Sequence, residues 1–396
     1  MATVRLRAGH VQPVWAGHPW VFAQAIERLD GAPAPGDTVQ VVDGRGQFLG
    51  QGYWSPHSAI PVRILSHDAS ETLDSAWLGR RIERAAMWRK SLMSLPSDQT
   101  NGYRLVHAEG DSLAGLIVDV YGRVAAVQIL TIGMKNREQD IFAHVARVAN
   151  VDTLFEIASP RMQRLEGFEV TTGAVRGPSV DALEFCERGF AYAIELSVAQ
   201  KTGFYCDQRS NRDTVERLAH GRRVLDAFSY VGAFAFAAAR GGAKSVLAMD
   251  SSAPAIATGA ALAHRFGFES VVQFTRGDAK RALSEMAQKG ERYDMVIVDP
   301  PKLAPTSKHL EAGRKAYRRI NASAMRLLTA GGILVTCSCS GAMQLGDFLR
   351  TISFAARDVG REITVLHLGE QGPDHPTPPA FPEGRYLKCA VVLVQS

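Results

Sequence analysis

The spacing of apolar residues changes character along the chain, and each change predicts a different kind of structure. From residue 1 to about 70 it alternates. "DTVQVVDGRGQFLGQGYW" alternates, turns at Asp43-Gly44-Arg45-Gly46 and alternates again, which predicts a β-hairpin. "SAIPVRILS" predicts a further strand, and the Pro/Gly-rich "DGAPAPGD" ahead of the hairpin reads as a loop. No helix longer than a couple of turns is expected here. From 71 to about 185 the pattern is mixed. "DSAWLGRRIERAAMWRKSLM" places Leu78, Ile82, Ala85 and Leu92 near helical spacing. "GLIVDVYGRVAAVQIL" predicts a hairpin around Tyr121-Gly122, followed by a helix over about 137–149 and the strand "TLFEI".

From about 186 strands and helices alternate. "RRVLDAF", "SVLAMD", "VVQFT", "DMVIVD" and "GGILVTCS" read as strands. Between them lie helical patterns over "GAFAFAAARGG", 253–266, 279–288 and about 309–328. Such alternation predicts an α/β domain, a parallel sheet with helices on both faces. The Pro-rich "GEQGPDHPTPPAFPEG" then leads to a last strand, "YLKCAVVLV". The expected organisation is a small β-rich domain (1–70), an α+β middle domain (71–185) and an α/β domain (186–396).

Composition adds little beyond class. The 396 residues, 46% hydrophobic and 21% charged, fit a globular protein of two or three domains. No apolar run approaches the roughly 18 residues that span a bilayer, and "MATVRLRAGH" has no apolar signal segment. The expectation is therefore no membrane and a cytoplasmic location. Five scattered cysteines, an odd number, fit a reducing compartment. The net charge of +5 is compatible with a nucleic-acid partner but equally common without one. The same helical stretch, "DSAWLGRRIERAAMWRKSLM", carries Arg80, Arg81, Arg84, Arg89 and Lys90 on its other face. That is a solvated face by default and a phosphate-facing stripe in the sharper reading.

Ligands of a doubly wound sheet sit beyond the carboxyl ends of its strands, so those ends carry the candidate chemistry. The first turn, "LDAFSYVGAFAF", lacks the G-x-G-x-x-G pattern of a dinucleotide site. It has a carboxylate, Asp226, where a pyrophosphate would be repelled and a cationic amino group welcome. S-adenosylmethionine has an ammonium and a sulfonium and no phosphate. Asp250 ends the second strand, placed to accept from ribose hydroxyls, and Asp278 follows the third, placed to reach an adenine edge. Each alone reads more simply as a cap or turn residue.

The fourth strand ends "VIVDPPK". Pro300 and Pro301 fix φ at about −65° and remove two N–H donors, making a stiff, acceptor-rich turn that holds Asp299 and suits a nucleobase. Cys337 and Cys339 close the fifth strand. A metal pair lacks further ligands nearby, and a C-x-x-C redox motif is absent. Buried structural thiols are the common case, yet a nucleophile is useful at this rim. A thiolate adding to C6 of a cytosine makes C5 able to accept a sulfonium methyl group. Asp299 then steadies the ring at N3, and Lys302 is a cation that favours the thiolate.

In this order, "KTGFYCDQR", "VLDAFSYVGAF", "VDPPK" and "TCSCSG" resemble the bacterial large-subunit (23S) ribosomal RNA cytosine-5 methyltransferases that carry an N-terminal PUA domain. "GHPWVFAQAI" with the first hairpin looks like that PUA domain, the middle segment like the family's α+β linker domain, and "FPEGRYLKC" also fits. The resemblance spans essentially the whole chain. It implies a Rossmann-like class I methyltransferase domain and S-adenosylmethionine bound near Asp226, Phe228, Ser229, Gly232, Asp250 and Asp278, with Tyr205 and Gln208 over it. It implies Asp299 at the cofactor and as the base-binding acid, Pro300, Pro301 and Lys302 beside the base, and Cys339 as nucleophile, seven residues after the second glycine of "GG". The family usually has an apolar or aromatic residue at Cys337, which in an extended strand shares a face with Cys339. Arg5, Arg7 and Arg63 with Trp15, Trp20 and Trp54 are then candidate RNA contacts. Ribosomal RNA is the expected partner and a homodimer the expected assembly. No metal is expected. The rivals are a base-nitrogen RNA methyltransferase without a covalent step, a non-catalytic RNA-binding assembly factor and a nicotinamide oxidoreductase.

Overall fold

The computed structural model describes residues 1–395. The chain forms two compact units, Met1–Cys206 with Pro373–Gly384, and Asp207–Gly372 with Arg385–Ser396.

The first unit starts with a six-stranded sheet. Its order is Trp20–Val21, Val62–Ser66, Phe48–Trp54, Thr38–Val42, Ala2–Leu6, Ile26–Asp30. The hairpin expected around Asp43 is the antiparallel pair Thr38–Val42 and Phe48–Trp54. Alternate residues Val4, Leu6, Val39, Val41, Val62 and Ile64 point into one small core. A five-stranded sheet follows, with Leu116–Tyr121 and Val124–Ile129 as its central hairpin.

The helix Ser75–Met93 covers this second sheet. Asp74 caps it, its carboxylate accepting from Trp77 N at 2.8 Å. Its buried stripe runs Leu78, Ile82, Ala85 and then Arg89, while Leu92 is 76% exposed. The expected apolar stripe and basic face are corrected at these two positions. Arg89 lies one further turn along the stripe from Ala85 and is pulled inside by a buried carboxylate, Asp111, described below.

The division between the units falls after Cys206, later than the boundary expected after residue 185. The reason is a hairpin, Ala182–Glu187 with Phe190–Glu195, that the sequence reading did not mark. It belongs to the first unit because Cys186 N donates to Asn101 Oδ1 at 2.6 Å. Phe185 also sits between the rings of Tyr121, Tyr192 and Phe204, with centroids 5.0 to 5.3 Å away. Part of the Pro-rich connection, Pro373–Gly384, also folds into this unit.

In the second unit the strands are β1 Arg223–Ala227, β2 Ser245–Asp250, β3 Val272–Arg276, β4 Tyr293–Val298, β5 Leu328–Ser338, β6 Ile363–Gly369 and β7 Lys388–Val394. The helices are α1 Arg209–Leu218, α2 Ala233–Arg240, α3 Ala253–Arg265, α4 Ala279–Gln288, α5 Leu310–Leu327 and α6 Leu345–Asp358. They build one seven-stranded sheet, in the order β3-β2-β1-β4-β5-β7-β6. The first five strands of that order are parallel, as alternation predicts. β7 inserts antiparallel between β5 and β6, so the sheet is mixed rather than all-parallel. One face buries Leu225, Ala227, Val296, Val298, Leu334 and Val392 against α4, α5 and α6. The two-residue period turns Asp226 and Cys337 to the opposite face. The order reverses between β1 and β4, which puts the crevice of the fold at their carboxyl ends.

Candidate cofactor and catalytic site

The turn after β1 is held in an uncommon backbone conformation. Phe228 and Tyr230 have φ of 70° and 52°, the left-handed region that side chains with a Cβ disfavour. Residues held there cost on the order of 1 kcal/mol or more each and cluster at functional sites. Here Ser229 N donates to Met249 O at 2.8 Å, and Tyr230 N donates to Asp250 Oδ2 at 2.9 Å. The other oxygen of Asp250 accepts from Ser252 N, so this carboxylate ties the first two strand ends together. Gly232 has φ of 89°, and a Cβ there would lie 2.5 Å from Phe274 Cζ. Packing therefore requires this glycine.

Asp226 is 1% exposed. Its Oδ2 accepts from Ala235 N at 3.1 Å, but its Oδ1 has no hydrogen-bond partner. Burial, then the neighbouring charges of Asp299 and Asp250, push its pKa up to about 8. Ser229 Oγ, in the same turn, is likewise buried with no hydrogen-bond partner. Buried polar groups are usually paired, so a carboxylate oxygen and a hydroxyl three residues apart that both lack partners are unusual. Asp278 caps α4 through Lys280 N and is exposed.

Asp299 follows β4, and its Oδ2 accepts from Gln208 Nε2 at 2.8 Å. Gln208 is itself buried and fixed by Asn211, whose Nδ2 donates to Gln208 Oε1 at 2.6 Å. Pro300 is buried, while Pro301 and Lys302 are exposed. The turn is tied to the end of β5 by Ser340, whose Oγ accepts from Ala304 N at 3.0 Å and lies 3.1 Å from Tyr317 Oη.

The two cysteines differ in environment. β5 ends at Ser338, so Cys337 lies in the strand and Cys339 just beyond it. Cys337 is fully buried and opposite Cys389 in β7. The hydrogen bond between these two thiols, followed by burial, pushes the Cys337 thiol well above its ordinary range. Its partner is Cys389, not Cys339. Cys339 is half-buried at the rim. Its charge and that of Asp299 both act on the phenol of Tyr317, which burial first pushes up to about 12.

The fold agrees with what similar proteins show. Residues 4–67 match a PUA-like domain, and residues 165–391 match the S-adenosylmethionine-dependent methyltransferase family. The chain is 36% identical over 391 residues to ribosomal RNA large subunit methyltransferase I of Aeromonas salmonicida, covering 98% of each. It is 34% identical over 397 residues to the enzyme of the same name from Erwinia tasmaniensis, covering 98% of this chain and 100% of the relative. The chain belongs to this family of S-adenosylmethionine-dependent methyltransferases. Among solved structures, the methyltransferase SMU.776 in complex with SAH superposes with a TM-score of 0.86 at 21% identity, covering 99% of this chain and 100% of that one. A SAM-dependent methyltransferase from Streptococcus mutans gives 0.83, also at 21% identity and with the same coverage. Both carry the fold alone.

Within the methyltransferase, the second unit brings together Gln208, Asp226, Phe228, Ser229, Gly232, Asp250 and Asp299 around the ends of β1, β2 and β4, with Cys339 at the end of β5. Tyr205 belongs to the first unit, where its hydroxyl donates to Gln200 Oε1 at 2.6 Å and Lys201 lies over its ring. Among the proposed RNA contacts, Arg63 pairs with buried Glu166 and Trp20 donates to Glu109 Oε1, so both have internal partners. Trp15 is 70% exposed. On the basic helix face, Arg81 pairs with Glu71, whereas Arg80 and Lys90 face solvent. Among the described residues no helix is long and apolar enough to cross a membrane.

Lys388 was missed from sequence. It is only 5% exposed, and its Nζ donates to Ser340 O and Tyr386 O, each at 2.8 Å. A single lysine at the start of "KCAVVLV" reads as an ordinary strand residue. The available signal was that a long cation opens a strand that is otherwise wholly apolar.

Proposed function

We propose that the chain methylates C5 of a cytosine in large-subunit ribosomal RNA, with Cys339 as the nucleophile. The observation that carries this reading is the contrast between the two thiols. Cys337 is buried and tied to Cys389, whereas Cys339 sits at the rim next to the Asp299 turn. The ribosomal RNA substrate is supported by the names of relatives that align over nearly the full chain. The expected homodimer has no observation behind it and is not part of this proposal. The compartment that fits a ribosomal RNA substrate is the cytoplasm.

When bound, S-adenosylmethionine supplies a methyl group on a positively charged sulfur. The chain's own residues do the rest. Asp226 would hold the ammonium, giving up the proton that its raised pKa keeps on it at pH 7. Asp250 and Asp278 would accept from the ribose and the adenine, and Phe228 and Ser229 would line the cofactor. Asp299, oriented by Gln208, holds the cytosine at its N3 edge, with Pro300, Pro301 and Lys302 forming the rigid side of the base pocket. The Cys339 thiolate adds to C6, which makes C5 electron-rich. After C5 is methylated, its proton goes to a base and the C–S bond breaks, returning the thiolate.

Bisulfite sequencing of ribosomal RNA from cells lacking the gene, complemented in turn with wild type, C339A and C337A, tests this. One large-subunit cytosine should be protected by wild type and C337A and unprotected with C339A. In vitro the Cys339→Ala rate should drop by roughly 10³-fold or more. C339A activity close to wild type would instead support methylation of a base nitrogen without a covalent step, and failure to bind S-adenosylmethionine would support a non-catalytic RNA-binding role.

A further inference from the structure

We propose that Lys388 is a positioning residue that holds Cys339 as a thiolate, a role that rests on the reading of Cys339 as nucleophile. β7 runs antiparallel to β5 with Lys388 opposite Ser338, the last residue of β5. From there its side chain reaches past the strand end to the carbonyl of Ser340, one residue beyond Cys339. A second carbonyl, that of Tyr386, fixes the ammonium from the other side. Ser340 thus has two tethers, its hydroxyl to the Asp299 turn through Ala304 N and its carbonyl to Lys388. The Cys339 backbone is held between the base-binding turn and a buried cation.

The charged and titratable groups here are few. Burial lowers the Lys388 pKa to about 8, the charge of Cys339 opposes that shift, and Lys302 adds to it. Asp299 faces the same space with the opposite sign, and Tyr317 is kept a neutral phenol. Two carbonyl acceptors favour the ammonium over the amine. With a pKa of about 8 the ammonium is still charged at pH 7, where it favours a thiolate beside it over the neutral thiol. Lys302 alone is a weaker source of this effect, because it is exposed and its charge is screened by solvent. Lys388 is buried and fixed. Its hydrogen bonds go to two backbone carbonyls, one of them next to Cys339, so its effect runs through Cys339.

The thiol can be read without RNA. The full chain is alkylated with iodoacetamide across a pH series, and the rate at Cys339 is resolved by peptide mass spectrometry. Wild type should show a midpoint below the ordinary thiol value of about 8.5. Lys388→Met should raise the midpoint, and at pH 7 the Cys339 rate should fall about threefold for each unit of that rise, since a more basic thiolate is also a better nucleophile. Methylation should lose rate with its acid limb displaced to higher pH, and Lys388→Arg should recover most of both effects. A folded Lys388→Met protein with an unmoved Cys339 midpoint overturns the proposal. If that variant does not fold, a wild-type midpoint at or above about 8.5 overturns it, and one below supports it. Methylation that survives C339A while the Lys388→Met midpoint still shifts removes the nucleophile and keeps the coupling. The opposite pair of results removes the coupling and keeps the nucleophile.

Discussion

Each unit draws aspartates together, and their carboxylates are satisfied differently in the two. In the first unit, Arg89 donates to both oxygens of Asp111 at 2.5 and 2.8 Å, and Arg104 to both oxygens of Asp119 at 2.6 and 2.9 Å. Thr202 also donates to Asp119, and Asp374 accepts from Arg104 N and lies against His375. Desolvation, then the charges of His375 and both arginines, hold the half-buried His107 well below its ordinary pKa, so it stays neutral. In the second unit, Asp226 accepts from the backbone N–H of Ala235 and Asp299 from the side-chain amide of Gln208. One oxygen of Asp226 has no hydrogen-bond partner. The first cluster is complete without a ligand. The second is left with one unsatisfied buried oxygen. Burial of charge does not by itself mark a functional site; uncompensated burial does.

The strongest way to break the comparison is to make the first cluster resemble the second. Arg89→Met leaves Asp111 buried without its guanidinium, and removing one partner of a buried pair costs about 3–5 kcal/mol. The urea midpoint should fall accordingly. Arg89 Nη2 also holds Asp374 O, so the segment Pro373–Gly384 should lose hydrogen-exchange protection with it. Adding Asp111→Asn should recover part of the loss, because the uncompensated charge is then gone. An Arg89→Met protein as stable as wild type would show that the cluster is not held by charge pairing.

The second cluster should behave in the reverse sense. The pKa of Asp226 is raised in the folded chain to about 8, from an ordinary value near 4 when unfolded. Its contribution to stability is therefore full below about pH 4 and is lost as pH rises toward 8, at up to about 1.4 kcal/mol per pH unit. Asp226→Asn should remove this slope without lowering stability at pH 7, and should abolish binding of S-adenosylhomocysteine. Binding to wild type at pH 7 should release close to one proton, read by calorimetry in buffers of different ionisation enthalpy. Binding with no proton release would mean that the ammonium does not meet Asp226.

How much of this was legible in the sequence depended on whether a position's neighbours were local. Asp226, Asp250 and Asp299 end strands whose apolar runs are continuous, so alternation alone located them. Arg89 was legible in principle, because the stripe Leu78, Ile82, Ala85 continues to position 89. It was assigned to the solvated face because it is an arginine, and the carboxylate that draws it in, Asp111, comes from a different element. The hairpin at Phe185 had its own local signal, alternation on both sides of Arg188-Gly189, which take φ of 52° and 81°. It was absorbed into a domain boundary instead. The split between Cys337 and Cys339 was not local, since it depends on Cys389, which reaches β5 only because β7 inserts antiparallel after a long connection. The same insertion delivers Lys388. Parallel strands could be read from alternation with helices, whereas an inserted antiparallel strand has no period of its own that announces its neighbour.

The smallest expected effect is the control that separates geometry from burial. Arg123 and Asp152 make the same two-pronged contact as the pairs of the first cluster, at 2.9 and 2.6 Å, and belong to the same unit. Both side chains are more than half exposed. Water already solvates each charge when they part, salt screens their attraction, and holding two long side chains in one geometry costs entropy. Arg123→Met should therefore leave the urea midpoint where it is, at low and at high salt, while Arg89→Met moves it at both. If the two substitutions shifted the midpoint equally, the fork geometry rather than the desolvation of the unpaired carboxylate would be what stabilises the first unit. The unpartnered Oδ1 of Asp226 would then lose its force as a sign of a missing cation, because its weight rests on the same cost of burying a charge alone.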